Sequence, residues 1–555
     1  VFECHASEGC HVDSYKVDPV VTRYRVQTKT LQDLVTGETF AFDYTYTYTN
    51  ASGQQEDTAA VNDPAHSALA AAWDRPHLVV DPYTEFRGHA QVTESGPEGR
   101  STVTYYAQDD LYAGQVQKQQ QLNSSGALLV ETEYTYAHQP TPTSALPHPE
   151  NQPADYFKDL HIEWIYTTQV VTKTCEGNTS ACVSRRVAYN YNLSEQGGVQ
   201  YGNLTRTTEA YSDGSAWIDY RLTQTVYYPS VTNGSGVPAN ARYLVGLPGY
   251  TNTYECSGGS CAKNTGSTWY LYDGASMYNG ALVNGVLTGQ RQLLYYAGPG
   301  PTDVPTYRDV DYAYDDWGNR TTVTTYTDPG TFNSRATTGG RSSYTCYGGG
   351  GTLGGKACAS DAYYTYALWE RNSLNQDTSM AYNYRQGLPT SLTDANDVVT
   401  QACYDQFGRL TAIIRDGDSA STPTVQVSYH QAASPGLNNP YWTEARQRIS
   451  GSTYFVLRKY YGGTGNLIQT QVVGAVLGAS TYDIRSDSYT NAYGQVTRQS
   501  VPYATVVGSN YLARSSSAAY SQTEYDGLGR PLTVTDTANV VSATYKYTAH
   551  TTYLQ

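Results

Sequence analysis

Apolar and aromatic residues alternate with polar ones along much of the chain, at a period of two. In Phe42-Asp-Tyr-Thr-Tyr-Thr-Tyr48, Tyr and Thr take turns after the aspartate. An extended backbone would put those tyrosines on one face of a sheet and the threonines on the other. Similar runs recur at 130–136, 310–314, 362–366 and 543–547, and each predicts a short strand. No stretch of convincing length has the three-and-four spacing of an amphipathic helix.

The predicted strands are punctuated by a shared turn. Tyr314-Asp315-Asp-Trp-Gly318-Asn, Tyr404-Asp405-Gln-Phe-Gly408-Arg and Tyr525-Asp526-Gly-Leu-Gly529-Arg all read Tyr-Asp-x-x-Gly-(Asn/Arg). Aspartate can accept hydrogen bonds from backbone N–H groups just ahead of it, and glycine tolerates a left-handed backbone. Weaker copies are Tyr489 to Gly494, Tyr201-Gly202-Asn203 and Tyr272-Asp273. A longer comparison fixes the repeat: residues 387–399, ending in Asp394-Ala-Asn-Asp-Val-Val399, align without a gap with 529–541, ending in Asp536-Thr-Ala-Asn-Val-Val541. Both continue into a tyrosine, Tyr404 and Tyr545. The unit is about 20 residues long, a period that means stacked supersecondary elements burying their faces against neighbours.

Composition agrees. The chain has 55 Tyr and 50 Gly against 8 Phe and 2 Met in 555 residues, a bias toward strand and turn formers. We therefore expect an all-β fold.

The Tyr-Asp-x-x-Gly-Arg units resemble the YD repeats of the Rhs family, which also takes in the shells of insecticidal toxin complexes and the barrels of teneurins. The resemblance is clearest over residues 188–555. Upstream, Asp81-Pro-Tyr-Thr-Glu-Phe-Arg-Gly88 is similar to a segment common in toxin-complex B components. The resemblance implies a continuous antiparallel sheet of hairpins coiled into a spiral, a hollow shell or tube. Toxin-carrying relatives end in a self-cleaving core with aspartates, and no matching segment is found here. By domain, the reading is an N-terminal β region over 1–138, a Pro-rich linker or long loop over 139–157, and a repeat array over 158–555. The array carries a Gly-rich, disulfide-closed insertion near 328–361.

Charge removes some functions. A net charge of -15, with 35 basic side chains thinly scattered, argues against a nucleic-acid partner. No run approaches the ~18 apolar residues of a membrane span. The chain begins at Val1, which reads as a processed or excised product. Eight of the nine cysteines fall into close pairs, Cys4 with Cys10, Cys175 with Cys182, Cys256 with Cys261 and Cys346 with Cys358, leaving Cys403 alone. We expect four local disulfides, each contributing about 2–3 kcal/mol, and hence a secreted, extracellular or cell-surface protein.

Catalytic chemistry has little to stand on. Gly350-Gly-Thr-Leu-Gly-Gly355-Lys356-Ala357 matches a phosphate-cradling loop except at its last position, where Ala357 replaces the magnesium-binding hydroxyl. Asp394-Ala-Asn396-Asp397 and Asp416-Gly-Asp418 concentrate oxygen ligands, but Asp and Asn occupy turns for backbone reasons alone. His5 and His11 are the only notable histidine proximity, and there is no Gly-x-Ser-x-Gly elbow. No catalytic, metal or cofactor site is assigned, and an enzyme is not expected. Sequons at Asn50, Asn123, Asn178, Asn192, Asn203, Asn233 and Asn319 mark glycosylation candidates, although chance alone gives nearly as many.

The leading expectation is a secreted structural protein whose open strand edges drive self-association into a homopolymeric extracellular fibre. An alternative is a shell segment of an Rhs or toxin-complex delivery system that encapsulates a polypeptide toxin. A second alternative is a surface adhesin that binds glycans through its tyrosine-rich faces.

Overall fold

The computed structural model describes residues 3–5, 9–11, 26–47, 89–107, 112, 114–140, 163–177, 182–192, 202–228 except 213 and 215, 246–275, 282, 284–295, 305–547 except 362, 432–435 and 509, and 552–554. Over these residues the chain is a succession of antiparallel β-strands, and the one helical element is a single 3-10 turn, Pro97–Gly99. The alternating runs lie in strands Thr39–Thr47, Leu128–Pro140, Thr306–Tyr314 and Val541–Tyr547. The run at 362–366 departs from its pattern. Tyr364 takes a left-handed conformation (φ 50°), so residues 363–366 form an irregular loop instead of a strand.

The chain divides into two compact units. The first comprises Val1–Leu31, Phe40–Ala127 and His138–Ile165. Most of strand Thr39–Thr47 lies in it and pairs with Gln91–Ser95; this strand pairs with Ser101–Tyr106, which in turn pairs with Val116–Leu122. Among the described residues, its buried apolar side chains are Phe42, Val103 and Ala107. At the amino terminus Glu3–His5 pairs with Gly9–His11, with Cys4 and Cys10 as register partners. The side chains of that pair lie outside the described residues, as do the 81–88 segment and 141–157 of the Pro-rich stretch. Gln139 and Pro140 are the last residues of the strand Leu128–Pro140.

The second unit comprises Gln32–Thr39, Leu128–Ala137 and Tyr166–Gln555. Its sheet is an antiparallel meander from Glu163–Thr174 to Thr552–Leu554, in which two short strands pair back instead of onward, Gly330–Thr331 with Thr306–Tyr314 and Tyr503–Thr505 with Ser480–Thr490, while Thr352–Leu353 and Lys356–Ala357 form a separate hairpin. Such a meander places successive hairpin connections on opposite rims of the ribbon. Within 328–361 the strand Gly340–Cys346 belongs to this sheet, between Arg320–Tyr326 and Trp369–Arg371. The stretch is therefore two loops, 327–339 and 347–368, and not one insertion.

A single sheet has two faces to bury and few apolar residues to bury them with. Among the described residues, apolar burial in this unit is spread over small clusters, such as Val35–Tyr460–Ile468 and Tyr228–Tyr272–Leu282, and single residues such as Leu222 and Ile414. Polar groups take the remaining interior positions. Arg291 Nε donates to Asp309 Oδ1 at 2.6 Å, with both side chains buried beneath the loop 327–339. Further along, the segment 501–519 lies over buried Gln469, Gln471, Asp483, Arg485 and Asp487. Asp487 accepts from Gln469 Nε2 (2.7 Å), the Ser515 N–H (2.8 Å) and the Tyr503 hydroxyl (3.0 Å). Asp483 accepts from Gln471 Nε2 (2.8 Å) and the Gly474 and Gly508 N–H groups. Arg485 donates to Gln469 Oε1 and the Asn510 carbonyl, both at 2.6 Å. Each covering loop is thus fixed by charge-assisted bonds, the arrangement that buried charges require.

Arg291→Met should lower stability by about 3 kcal/mol, because Asp309 stays buried without its main partner. Replacing both residues with apolar ones should be milder than the single change, and urea midpoints of the two variants check this.

Candidate functional site

The repeated corner is the structural motif that the sequence repeat encodes. At Asp405, Oδ1 accepts the N–H groups of Phe407 (2.9 Å) and Arg409 (3.0 Å), while Gly408 N–H reaches back to the Asp405 carbonyl (3.0 Å). Gly408 sits at φ 78°, a left-handed position where glycine carries no Cβ penalty. Asp315 and Asp526 make the same bonds two and four residues ahead. So do Asn123, Asn372, Asp394, Asn491 and Asp536, most of which sequence reading had not grouped with the Tyr-Asp turns. Their shared signal is Asp or Asn followed three residues later by Gly, Asn or Asp.

One corner lacks its side chain, and a distant residue supplies it. The loop 462–465 has the backbone bonds of the motif but begins with Gly462. Asp33 fills the gap: its carboxylate accepts the Gly463 N–H (2.8 Å) and lies where a side chain on Gly462 would stand. Burial works against the Asp33 charge. The N–H groups of Thr36, Gly463, Val35 and Thr464 outweigh that penalty and hold the carboxyl below its ordinary range.

The motif tyrosine has a definite job. The Tyr314 hydroxyl donates to the Leu287 carbonyl (2.7 Å), Tyr404 to Pro389 (2.9 Å) and Tyr525 to Val496 (2.8 Å). Tyr429 bonds Leu410 (3.1 Å), Tyr547 bonds Pro531 (2.7 Å) and Tyr272 bonds Pro248 (3.2 Å). In each case the acceptor stands just after the turn that opens the preceding strand. The arginine after the glycine completes the clamp. Arg409 Nε donates to Asp405 Oδ2 (2.7 Å), and its guanidinium lies 4.3 Å from the Tyr429 ring centroid. Arg530 repeats this with Asp526 (2.7 Å) and the Tyr547 ring (3.9 Å). The tyrosine that serves the second long repeat is thus Tyr547, whereas Tyr545 pairs with Leu554.

The remaining candidates are placed as follows. Disulfides join Cys175 to Cys182, Cys256 to Cys261 and Cys346 to Cys358, while Cys403 is an exposed free thiol. Lys356 lies in a short hairpin, where it pairs with Leu353, with no helix after it; its ammonium lies 3.2 Å from Asp377 Oδ2 and 4.9 Å from the Trp369 ring centroid. Asp394 is the first residue of a corner and Asp397 its left-handed residue (φ 60°). Asp418 pairs with Arg448 (3.0 Å). Among the described residues no group of three or more His, Cys, Asp or Glu is arranged to hold a metal ion. Of the sequons, Asn123 and Asn319 lie in corners and Asn203 opens a strand. The side chains of Asn50, Asn178, Asn192 and Asn233 lie outside the described residues.

Solved structures with a similar fold are a crystal structure of TcdB2-TccC3-Cdc42 (TM-score 0.62, 12% identity) and one of TcdB2-TccC3-TEV (TM-score 0.61, 12% identity). Each match covers 94% of this chain and 33% of the other. A Photorhabdus luminescens Tc holotoxin pore matches with a TM-score of 0.59 at 12% identity, over 93% of this chain and 32% of that one. The chain therefore spans about a third of the length of these chains. No protein-family model and no curated protein matches it.

Two predictions concern the corners and the charges beside them. Tyr547→Phe should cost about 1 kcal/mol and Asp526→Ala about 2 kcal/mol, since the second change leaves backbone donors unsatisfied, as denaturant titration can measure. The Arg371 guanidinium, with Lys356 beyond it, outweighs partial burial and holds the Asp377 carboxyl down to about 2. A depressed carboxylate stabilises the fold above its unfolded pKa, so this contribution should fade as pH falls from about 4 to about 2. Melting curves of Asp377→Asn should lack that component.

Proposed function

We propose that this chain is wall material: a non-catalytic segment of a β-shell of the toxin-complex kind, secreted and enclosing a polypeptide. The observation that carries the reading is the similarity of fold over 94% of the chain to TcdB2-TccC3 structures. The corner-and-clamp repeat supports it, because every motif residue with a defined role serves the wall. Asp fixes the turn, Arg covers a ring, and Tyr ties one hairpin to the strand before it. A wall of this design gains rigidity by adding hairpins and needs no thick apolar core.

The fold similarity favours the enclosing shell over the extracellular fibre. No oxidoreductive, hydrolytic or group-transfer role is proposed, and the disulfides fit an oxidising compartment.

The test is to isolate the natural gene product that contains this chain and treat it with protease, intact and after opening in denaturant. A polypeptide protected only while the wall is closed is the expected result. Filaments in electron micrographs with no protected polypeptide would overturn the shell in favour of the fibre.

A further inference from the structure

We infer that the second unit carries a groove for a linear oligosaccharide, running from the corner 315–318 across the strands to the corner 394–397. The inference does not depend on the shell reading. A concavity of about 620 Å³ is lined by Arg320, Tyr347, Glu370, Asn372, Gln376 and Asp394, together with strand threonines. A second concavity of about 200 Å³ shares Thr321 and Tyr347 with it and extends to Trp317. The two form one polar trough with an aromatic end.

That end is built and held open. Trp317 and Tyr364 stack with centroids 3.5 Å apart and planes 10° from parallel, and 57% of Trp317 remains exposed. Asn319 Nδ2 fixes the pair by donating to both Asp315 Oδ2 (3.0 Å) and the Tyr364 carbonyl (2.8 Å). The loop 347–368, which delivers Tyr364, is anchored at its base by Cys346–Cys358 and by the bond from Trp369 Nε1 to the Ala357 carbonyl (3.0 Å). An exposed indole stacked from behind on a phenol presents one free flat face, which suits the C–H face of a pyranose.

The trough beyond it offers planar, two-pronged polar groups. Among the described residues Glu370 makes no ion pair, and neither does Arg320, whose guanidinium rests 5.1 Å from the Tyr312 ring centroid. Asp394 uses Oδ1 on its own corner. Carboxylates, carboxamides and guanidinium groups pair in bidentate fashion with neighbouring hydroxyls, and a saccharide presents such pairs along its length. The aromatic platform and the shortage of apolar lining favour a sugar chain over an apolar ligand or a folded protein.

The test is titration calorimetry of the whole chain with linear hexasaccharides of glucose, of N-acetylglucosamine and of a uronic acid, and with an acidic and a basic peptide of similar length. We expect one saccharide to bind with a Kd at or below about 1 mM. Trp317→Ala and Glu370→Gln should each weaken it at least about tenfold, while Trp317→Tyr keeps measurable binding. Circular dichroism of each variant shows whether the sheet is intact. Saccharide binding unchanged in folded Trp317→Ala, no saccharide binding to the wild-type chain, or binding of the peptides alone would each overturn the groove.

Discussion

The second unit depends on one constraint: at each reversal wider than a two-residue hairpin such as Ser257–Ser260 or Leu477–Ser480, the backbone leaves N–H groups that a neighbouring strand cannot reach. The corner answers it locally. A single Asp or Asn oxygen takes two of these donors, and a left-handed residue three positions on lets the chain return in register. Asp33 shows how strict the requirement is. Where Gly462 has no side chain to offer, a carboxylate from more than four hundred residues earlier occupies the same place. The motif is thus a hydrogen-bonding solution first and a sequence pattern second.

From the corner much of the sheet follows. A correctly closed turn places the next strand's first carbonyl within reach of a tyrosine hydroxyl, and the arginine leaving the turn lies on that same ring. Two weak interactions then connect neighbouring elements, each of about 1 kcal/mol and each repeated. At these positions tyrosine is required over phenylalanine, which would fill the space but could not bond the carbonyl. The chain's 8 Phe against 55 Tyr are in keeping with that demand.

Much of this was legible in the sequence because it is local. Period-two alternation, the Asp-to-Gly spacing and the ungapped alignment of 387–399 with 529–541 act within a hairpin. The alternating run near 362–366 misled because its spacing fits a strand, while the corner at Asp315 to Asn319 and the ring of Trp317 draw Tyr364 into a loop. The buried charges were illegible for the opposite reason. Nothing near Arg291 announces that Asp309 and the loop 327–339 will cover it, and Arg530 meets Glu176 across 354 residues of chain. The arginine–tyrosine contact had a faint signal, the Gly-Arg pair itself, but its partner is set by the folded register.

The corners also differ by rim. On the edge that carries Asp315, Asp405, Asn491 and Asp526, the left-handed residue is glycine, namely Gly318, Gly408, Gly494 and Gly529. On the opposite edge, at Asn372, Asp394 and Asp536, it is Asn375, Asp397 and Asn539. One margin of the ribbon is therefore bare at these positions, and the other bears a short polar group at each such bend. At these corners the two borders are chemically distinct, so the ribbon carries a polarity across its width.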